Sequence, residues 1–221
     1  MIVSRQKPQE EILELLRDYH KIFLVGCGEC ATTCKSGGKD EVIAMQKVLE
    51  KSGKFITGTC VPEAPCIAAQ AKTELAKNSK AMREAEAVLV LSCGLGVQSI
   101  KDNERIGLSV LPGCDTLFGA VTDGRGDFYE KCSMCGECVL GFTMGICPIT
   151  LCPKGLLNGP CGGMNKGKCE VDKDTDCAWV LIYRELEKKK ALAKMRKIRE
   201  PKDYKRSARP RRMAVPGKAG A

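Results

Sequence analysis

The cysteine-rich stretch from Cys132 to Cys177 constrains this chain more than any other feature. It contains eight of the chain's fifteen cysteines, interleaved with Gly, Pro and Asn and with almost no aromatic residues. Such a segment cannot bury enough apolar surface to offset the conformational entropy that it loses on folding. We therefore expect disulfides, zinc or iron–sulfur clusters to hold it together.

The first three cysteines of this stretch have the spacing C-x2-C-x2-C, and two Cys-Pro pairs follow them. Three close cysteines with a remote fourth before proline are typical of ferredoxin-type [4Fe–4S] ligation. Gly136 lies within the triplet and permits the positive φ that a tight chelating loop requires. The predicted ligands are Cys132, Cys135 and Cys138, with Cys147, Cys152 or Cys177 as the fourth.

Four later cysteines offer a second interpretation, because structural zinc is commonly held by four thiolates in a tetrahedral site. Their spacing does not decide between zinc and an iron–sulfur cluster. The group consists of Cys152, Cys161, Cys169 and Cys177.

The composition indicates a protein with a real hydrophobic core in a reducing compartment. The chain has 221 residues, of which 43% are hydrophobic, enough for one ordinary domain plus a smaller unit. The sequence begins with no apolar run of signal-peptide length and contains no stretch of about eighteen apolar residues. Since fifteen cysteines cannot all pair, we expect a soluble, cytoplasmic protein without a complete disulfide framework. The single histidine, His20, leaves little scope for imidazole catalysis or His-based zinc sites.

The basic charge of the chain is confined to its C-terminal end. The whole chain carries a net charge of +9, whereas the segment from Arg184 to Ala221 carries +11, so the preceding part carries −2. The spacing of apolar residues from Trp179 to Ile198 predicts a long helix that Pro201 ends. The remaining tail is too polar to fold alone. Because Tyr204 is its only aromatic residue, we favour an arm that binds a partner protein over contact with nucleic acid.

The N-terminal part alternates short apolar strands with helical segments, which predicts a parallel α/β sheet with right-handed crossovers. The loops after parallel strands emerge at one edge of the sheet, where ligands bind. Cysteines follow the predicted strands 21–26, 54–59, 87–91 and 106–111. We expect a second [4Fe–4S] cluster on Cys27, Cys30 and Cys34, with Cys93 or Cys60 as the fourth ligand.

A dinucleotide fingerprint overlaps the same residues, because the sequence from Gly26 to Ala31 matches G-x-G-x-x-A after a strand. The fingerprint also requires an acidic residue at the end of the second strand to hold the ribose. That strand ends in Ile56-Thr57-Gly58-Thr59, so the dinucleotide interpretation is weak.

The turn residues Asp123-Gly124 and Gly126 mark a boundary between domains. We therefore predict an α/β domain over 1–120, a cysteine-rich domain held by iron–sulfur or zinc over 121–178, and a helix with a basic tail over 179–221. No Ser/His, Cys/His or paired-carboxylate arrangement indicates catalysis by this chain itself.

Several strings resemble the small iron–sulfur or zinc subunit of bacterial methylenetetrahydrofolate reductases, a region that is elsewhere fused to the catalytic barrel. The most specific string is Asn158-Gly-Pro-Cys-Gly-Gly163, which is followed by Asp176-Cys-Ala-Trp179. The strings Val25-Gly-Cys-Gly-Glu-Cys-Ala-Thr-Thr-Cys34 and Leu91-Ser-Cys-Gly-Leu-Gly96 extend the resemblance to roughly residues 10 to 185.

The resemblance implies an electron-transfer subunit that reduces the flavin of a catalytic TIM-barrel partner, which converts methylenetetrahydrofolate to methyltetrahydrofolate. It also implies that the electrons come from ferredoxin or a larger electron-supplying complex. Two alternatives predict different chemistry. A zinc scaffold without a redox role would be colourless, and a nucleic-acid-binding protein would bind polyanions with a steep salt dependence.

Overall fold

A computed structural model describes residues 1–213, which fall into two compact units with a boundary between Ala120 and Val121. The expected positions 214–221 of the basic tail lie outside the described residues. In chain order the first unit contains β1 (Ile2–Gln6), α1 (Gln9–Leu15), β2 (Lys21–Val25), α2 (Cys30–Thr33), α3 (Lys39–Lys51), β3 (Phe55–Cys60), α4 (Ala68–Lys77), α5 (Ser79–Glu84), β4 (Ala87–Val90), α6 (Gly94–Asn103), β5 (Ser109–Pro112) and the start of β6 (Cys114–Thr122).

The predicted parallel sheet is confirmed and has the strand order β3-β2-β4-β5. The two central strands, β2 and β4, are apolar along their lengths because both of their faces are covered. Phe23 pairs with Val88 and Val25 with Val90, so these two strands end side by side.

Two apolar cores cover the two faces of this sheet. One contains residues of α1 and α3, such as Ile12 and Leu49, against Leu24 and Leu89. The other contains residues from α4, α5 and α6, such as Leu75, Met82 and Ile100. The connection after β2 therefore runs over one face and the connection after β3 over the other. The ends of β2 and β4 consequently lie at a topological switch point, the edge of a parallel sheet where ligands bind.

A second sheet was missed by the sequence analysis. It is antiparallel, with the order β1-β6-β7, where β7 is Phe128–Glu130. Its strands carry mixed polar and apolar residues rather than an unbroken apolar run, which explains why they gave no strong signal. The expected turn at 123–127 is present, and the Asp123 carboxylate accepts hydrogen bonds from the Arg125 and Asp127 backbone N–H groups at 2.8 and 3.1 Å. Those bonds lower the pKa of Asp123.

The fourth parallel strand begins three residues later than the predicted strand 106–111. Residues 106–108 instead form a turn around the buried carboxylate of Glu104. That carboxylate accepts hydrogen bonds from the backbone N–H groups of Gly107 and Leu108, at 2.9 and 3.0 Å. These N–H groups are therefore not available to begin β5.

The second unit is built mainly from loops, as the cysteine-rich sequence predicts. Its regular elements within residues 121–213 are β7, α7 (Pro148–Leu151), α8 (Ala178–Lys188) and two 3₁₀ helices, Leu192–Arg196 and Tyr204–Ser207. The buried apolar core is small and consists of Cys177, Trp179, Ile182 and Leu186, with partly buried residues around them.

The prediction of a helix that continues to Pro201 is wrong. Helix α8 ends at Lys188, and Lys190 adopts a left-handed conformation with φ of 53°. The backbone N–H of Ala191 then donates to the Leu186 carbonyl at 2.8 Å, which closes the helix end.

The described part of the basic tail does not extend away from its unit as a free arm. Residues 199–211 contact the loop that contains the cysteine triplet. Lys202 is buried there, and its ammonium forms hydrogen bonds with the loop. The sequence alone did not predict this contact. Within residues 1–213, no helix is both long and apolar enough to cross a bilayer.

Candidate metal centres

A first group of thiols lies at the switch point of the parallel sheet. Cys27 and Cys30 follow β2, Cys66 follows β3 and Cys93 follows β4. Burial is the main cause that raises the pKa of Cys27 and of Cys66, and the nearby thiols of Cys30 and Cys93 raise both pKa values further. We refer to Cys27, Cys30, Cys66 and Cys93 as the first thiol group.

Close backbone packing brings the loop after β2 against the end of β4. A Cβ atom on Gly37 would lie 1.8 Å from the Leu91 carbonyl oxygen, so only glycine allows this approach. On the other side, a Cβ atom on Gly28 would lie 3.1 Å from Glu63 Cα. Hydrogen bonds from Cys27 N to Gly37 O and from Gly28 N to Pro62 O, at 2.8 and 2.9 Å, fix the loop between these segments.

Backbone N–H groups point at the sulfur atoms of this loop. Burial is the main cause that raises the pKa of Cys27, and hydrogen bonds from the Ala31 and Glu29 backbone partly offset it. The Ile2 N–H donates to Cys30 Sγ at 3.5 Å. Such N–H groups stabilise thiolate ligands and tune the potential of a bound cluster. The donor set therefore fits a soft metal centre.

Cys66 was not among the predicted ligands. It has no partner at C-x-x-C spacing, and it approaches the other thiols only because β3 lies beside β2 in the sheet. The Sγ of Cys34, a predicted ligand, lies 3.8 Å from the carbonyl oxygen of Ile2, the residue whose N–H donates to Cys30 Sγ. Cys34 also lies near the buried Cys114.

Cys60 and Cys114 belong to the apolar cores. Cys60 packs with the residues that cover one face of the sheet, and Cys114 with those that cover the other. Burial raises the pKa of each thiol to about 12. Both are therefore protonated at neutral pH in the metal-free protein, and a metal would have to displace the proton. Cys60, a predicted fourth ligand, packs in the apolar core on one face of the sheet rather than in the loops that carry Cys27, Cys30 and Cys93.

Alkylation of the metal-free protein should distinguish these core thiols from the others. At about pH 8 we expect iodoacetamide to modify the exposed Cys132, Cys138 and Cys161 rapidly and to leave Cys60 and Cys114 unmodified in the folded chain, because burial blocks access to these two and keeps them protonated. Peptide mass spectrometry measures the modified fraction of each residue. Alkylation in denaturant, where all fifteen cysteines should react, is the control. Rapid modification of Cys60 in the folded protein would contradict its assignment to the core.

The triplet loop, Cys132–Cys138, has the backbone of a chelating loop. Met134 and Gly136 both have positive φ, 54° and 82°. Alternating conformations of this kind turn successive N–H groups toward one point, and the Met134 N–H donates to Cys132 Sγ at 3.3 Å. Lys202 Nζ donates to Cys135 Sγ at 2.7 Å, and this bond is the main cause of the lowered pKa of Cys135.

A third thiol group lines one cavity in the second unit, next to Trp179. The cavity has a volume of about 20 Å³, roughly the space of one water molecule. Pro153, Leu156 and Met164 complete its wall. The four cysteines are those that the sequence analysis grouped as a tetrahedral site: Cys152, Cys161, Cys169 and Cys177.

Cys147 does not line this cavity. It precedes α7, and its Sγ lies 3.6 Å from Thr150 Oγ1. As the side chains of residues 1–213 stand, no three Cys, His, Asp or Glu side chains converge closely enough to hold one metal ion. We therefore define the candidate centres by which cysteine thiols lie near one another and by the preference of soft metals for thiolate ligands. Helix α2, with four residues, gives the overlapping dinucleotide fingerprint no extended helix for a pyrophosphate.

The later part of the chain matches the sequence model of a known protein family. Residues 111–205 match the family "Methylene-tetrahydrofolate reductase C terminal". The match covers somewhat less than half of the chain and includes the triplet loop, the third thiol group and Lys202. It agrees with the resemblance drawn from the Asn158–Gly163 string. Searches of curated proteins and of solved structures gave no match.

Proposed function

We propose that this chain is the electron-transfer subunit of a methylenetetrahydrofolate reductase. The observation that supports the proposal is the position of four cysteines in the loops that follow the neighbouring strands β3, β2 and β4, at the ligand-binding edge of a parallel sheet. The family match of the later residues associates the chain with this reductase.

The residues proposed to hold two [4Fe–4S] clusters fall into one set in each unit. In the first unit we propose Cys66 in place of Cys34, with Cys93 as the fourth ligand, because the Cys66 thiol lies near those of Cys30 and Cys93. In the second unit Cys147 joins the triplet. When bound, such clusters supply one-electron transfer. The two sets are Cys27, Cys30, Cys66 and Cys93, and Cys132, Cys135, Cys138 and Cys147.

For the third thiol group we propose a single zinc ion. A cavity of about 20 Å³ suits one ion better than a cube of four irons and four sulfides. Four thiolates with no open position match structural zinc, which contributes to folding rather than to catalysis.

The proposed partner is a flavin-containing catalytic subunit that binds the folate. Reduction of methylenetetrahydrofolate to methyltetrahydrofolate consumes two electrons and two protons, and the electrons would come from ferredoxin or a larger electron-supplying complex. This chain has one histidine and no catalytic constellation, so its residues would bind and insulate the clusters while the partner performs the folate chemistry.

Metal analysis of anaerobically purified protein is the first test. We expect about eight iron, eight sulfide and one zinc per chain, with a brown absorption that dithionite bleaches. The reconstituted complex should then reduce methylenetetrahydrofolate with a ferredoxin-type donor only when this chain is present. Colourless protein that contains zinc alone would overturn the electron-transfer function and leave a structural scaffold of the same reductase.

A further inference from the structure

Residues 198–211 form a C-terminal strap over the triplet loop of the same unit. At one end, Arg199 stacks its guanidinium 3.6 Å from the centre of the Phe142 ring. At the other end, Arg211 donates to the Met134 carbonyl at 2.9 Å. Between them, Arg206 packs on Gly136, where a Cβ atom would lie 2.9 Å from the Arg206 carbonyl oxygen.

The centre of the strap is Lys202, which is only 8% exposed. Its ammonium donates to Cys135 Sγ at 2.7 Å and to the Glu137 carbonyl at 2.6 Å. The next backbone N–H, that of Asp203, donates to the Glu137 carboxylate at 2.9 Å. These bonds attach the strap directly to the ligand loop.

A buried ammonium normally has an anionic partner, because desolvation of an unpaired charge is costly. In residues 1–213, Lys202 forms no salt bridge with a carboxylate. Among the described residues, the only acceptor beside its ammonium that can carry a full charge is the sulfur of Cys135. The position of Lys202 is therefore explained by negative charge on the triplet loop.

We propose that Lys202 is a positioning residue that closes the strap over the triplet loop and raises the reduction potential of the cluster bound there. The inference rests on the proposed function, since it requires a cluster on this loop. A fixed positive charge beside a ligand sulfur stabilises the reduced, more negative cluster more than the oxidised one. The strap covers Cys135, which is partly buried, whereas Cys132 and Cys138 remain exposed, so the effect should act mainly through the Cys135 sulfur.

The test is a redox titration of the full chain, monitored by electron paramagnetic resonance, for wild type, Lys202→Met and Lys202→Arg. In Lys202→Met the reduction potential of the cluster on the triplet loop should fall. The fall should be about 59 mV for each tenfold decrease in the equilibrium constant that favours the reduced cluster. The potential of the cluster in the first unit should not change. Lys202→Arg retains the charge and should recover most of the wild-type value.

Lys205→Met is the matched control, because Lys205 lies in the same strap but is exposed. We expect it to leave both potentials unchanged. Lys202→Met should also speed trypsin cleavage within the strap, which reports its opening separately from the potential. Full iron content with unchanged potentials in Lys202→Met would overturn the inference. Absence of iron from the wild type would instead overturn the proposed function.

Discussion

Replacing Cys93 with Ala should remove about half of the iron and sulfide and abolish donor-dependent folate reduction. Cys93 lies at the end of β4, beside the loop that carries Cys27 and Cys30, and the loss of one thiolate of four prevents a [4Fe–4S] cluster from assembling stably. The measurement is iron and sulfide per chain, together with reductase activity in the reconstituted complex. The zinc content should not change.

Cys60→Ala is the matched control for this variant. Cys60 and Cys93 are similarly buried, 7% and 9% exposed, so the two substitutions remove the same atoms from comparable surroundings. We expect Cys60→Ala to lower the free energy of unfolding by about 1 kcal/mol and to retain all iron. If Cys93→Ala also retained all iron, the first thiol group would not hold a cluster.

A paired comparison of Cys66→Ser with Cys34→Ser extends the same prediction to the fourth ligand. The loss of iron should follow Cys66, whose thiol lies near those of Cys30 and Cys93, and not Cys34, whose Sγ lies against the Ile2 carbonyl oxygen. The opposite result would restore the ligand set that the C-x2-C-x3-C spacing predicts.

The sequence predicted the parallel sheet and the position of the thiols at its edge because both depend on local patterns. Short apolar runs with glycine or cysteine after them identify buried strands and the loops that follow. The strand order, however, depends on which face each crossover covers. The proximity of Cys66 to Cys93 depends on that order, and no local spacing reports it.

The contact between the strap and the triplet loop could not be predicted from the sequence for a related reason. A segment rich in Lys and Arg is normally solvated, and its composition does not reveal a partner elsewhere in the chain. Lys202 is buried because Cys135, 67 positions earlier, and the Glu137 carbonyl accept its hydrogen bonds. The prediction of a long helix from Trp179 to Ile198 was wrong for a similar reason. The helix ends at a left-handed turn at Lys190, and lysine, unlike glycine or asparagine, seldom occupies this position.

Removing zinc from the third thiol group should unfold the second unit while the first unit stays folded. The buried apolar core of the second unit contains four residues, whereas each of the two cores of the first unit contains eleven. Structural zinc contributes about 10–16 kcal/mol of binding free energy in small zinc domains, and that binding is coupled to folding. A unit with so small a core cannot replace such a contribution.

Cys161→Ser tests this directly, because Cys161 is exposed and the change disturbs little packing. Trp179 is the chain's single tryptophan and lies at the cavity, where its Nε1 donates to the Leu156 carbonyl at 3.0 Å. Its fluorescence therefore reports the second unit alone. We expect the variant to lack zinc and to show the emission of a solvent-exposed tryptophan at about 25 °C, while far-UV circular dichroism retains the signal of the first unit.

Cys147→Ser provides the complementary variant, because Cys147 lies outside the cavity of the third thiol group. It should lose about four iron yet retain zinc and the buried emission of Trp179. Zinc added to metal-free protein should restore the native fluorescence of the wild type but not that of Cys161→Ser. If Cys161→Ser kept one zinc and the wild-type unfolding midpoint, the cavity would not be the metal site. The fold of this unit would then depend on the cluster of the triplet loop instead.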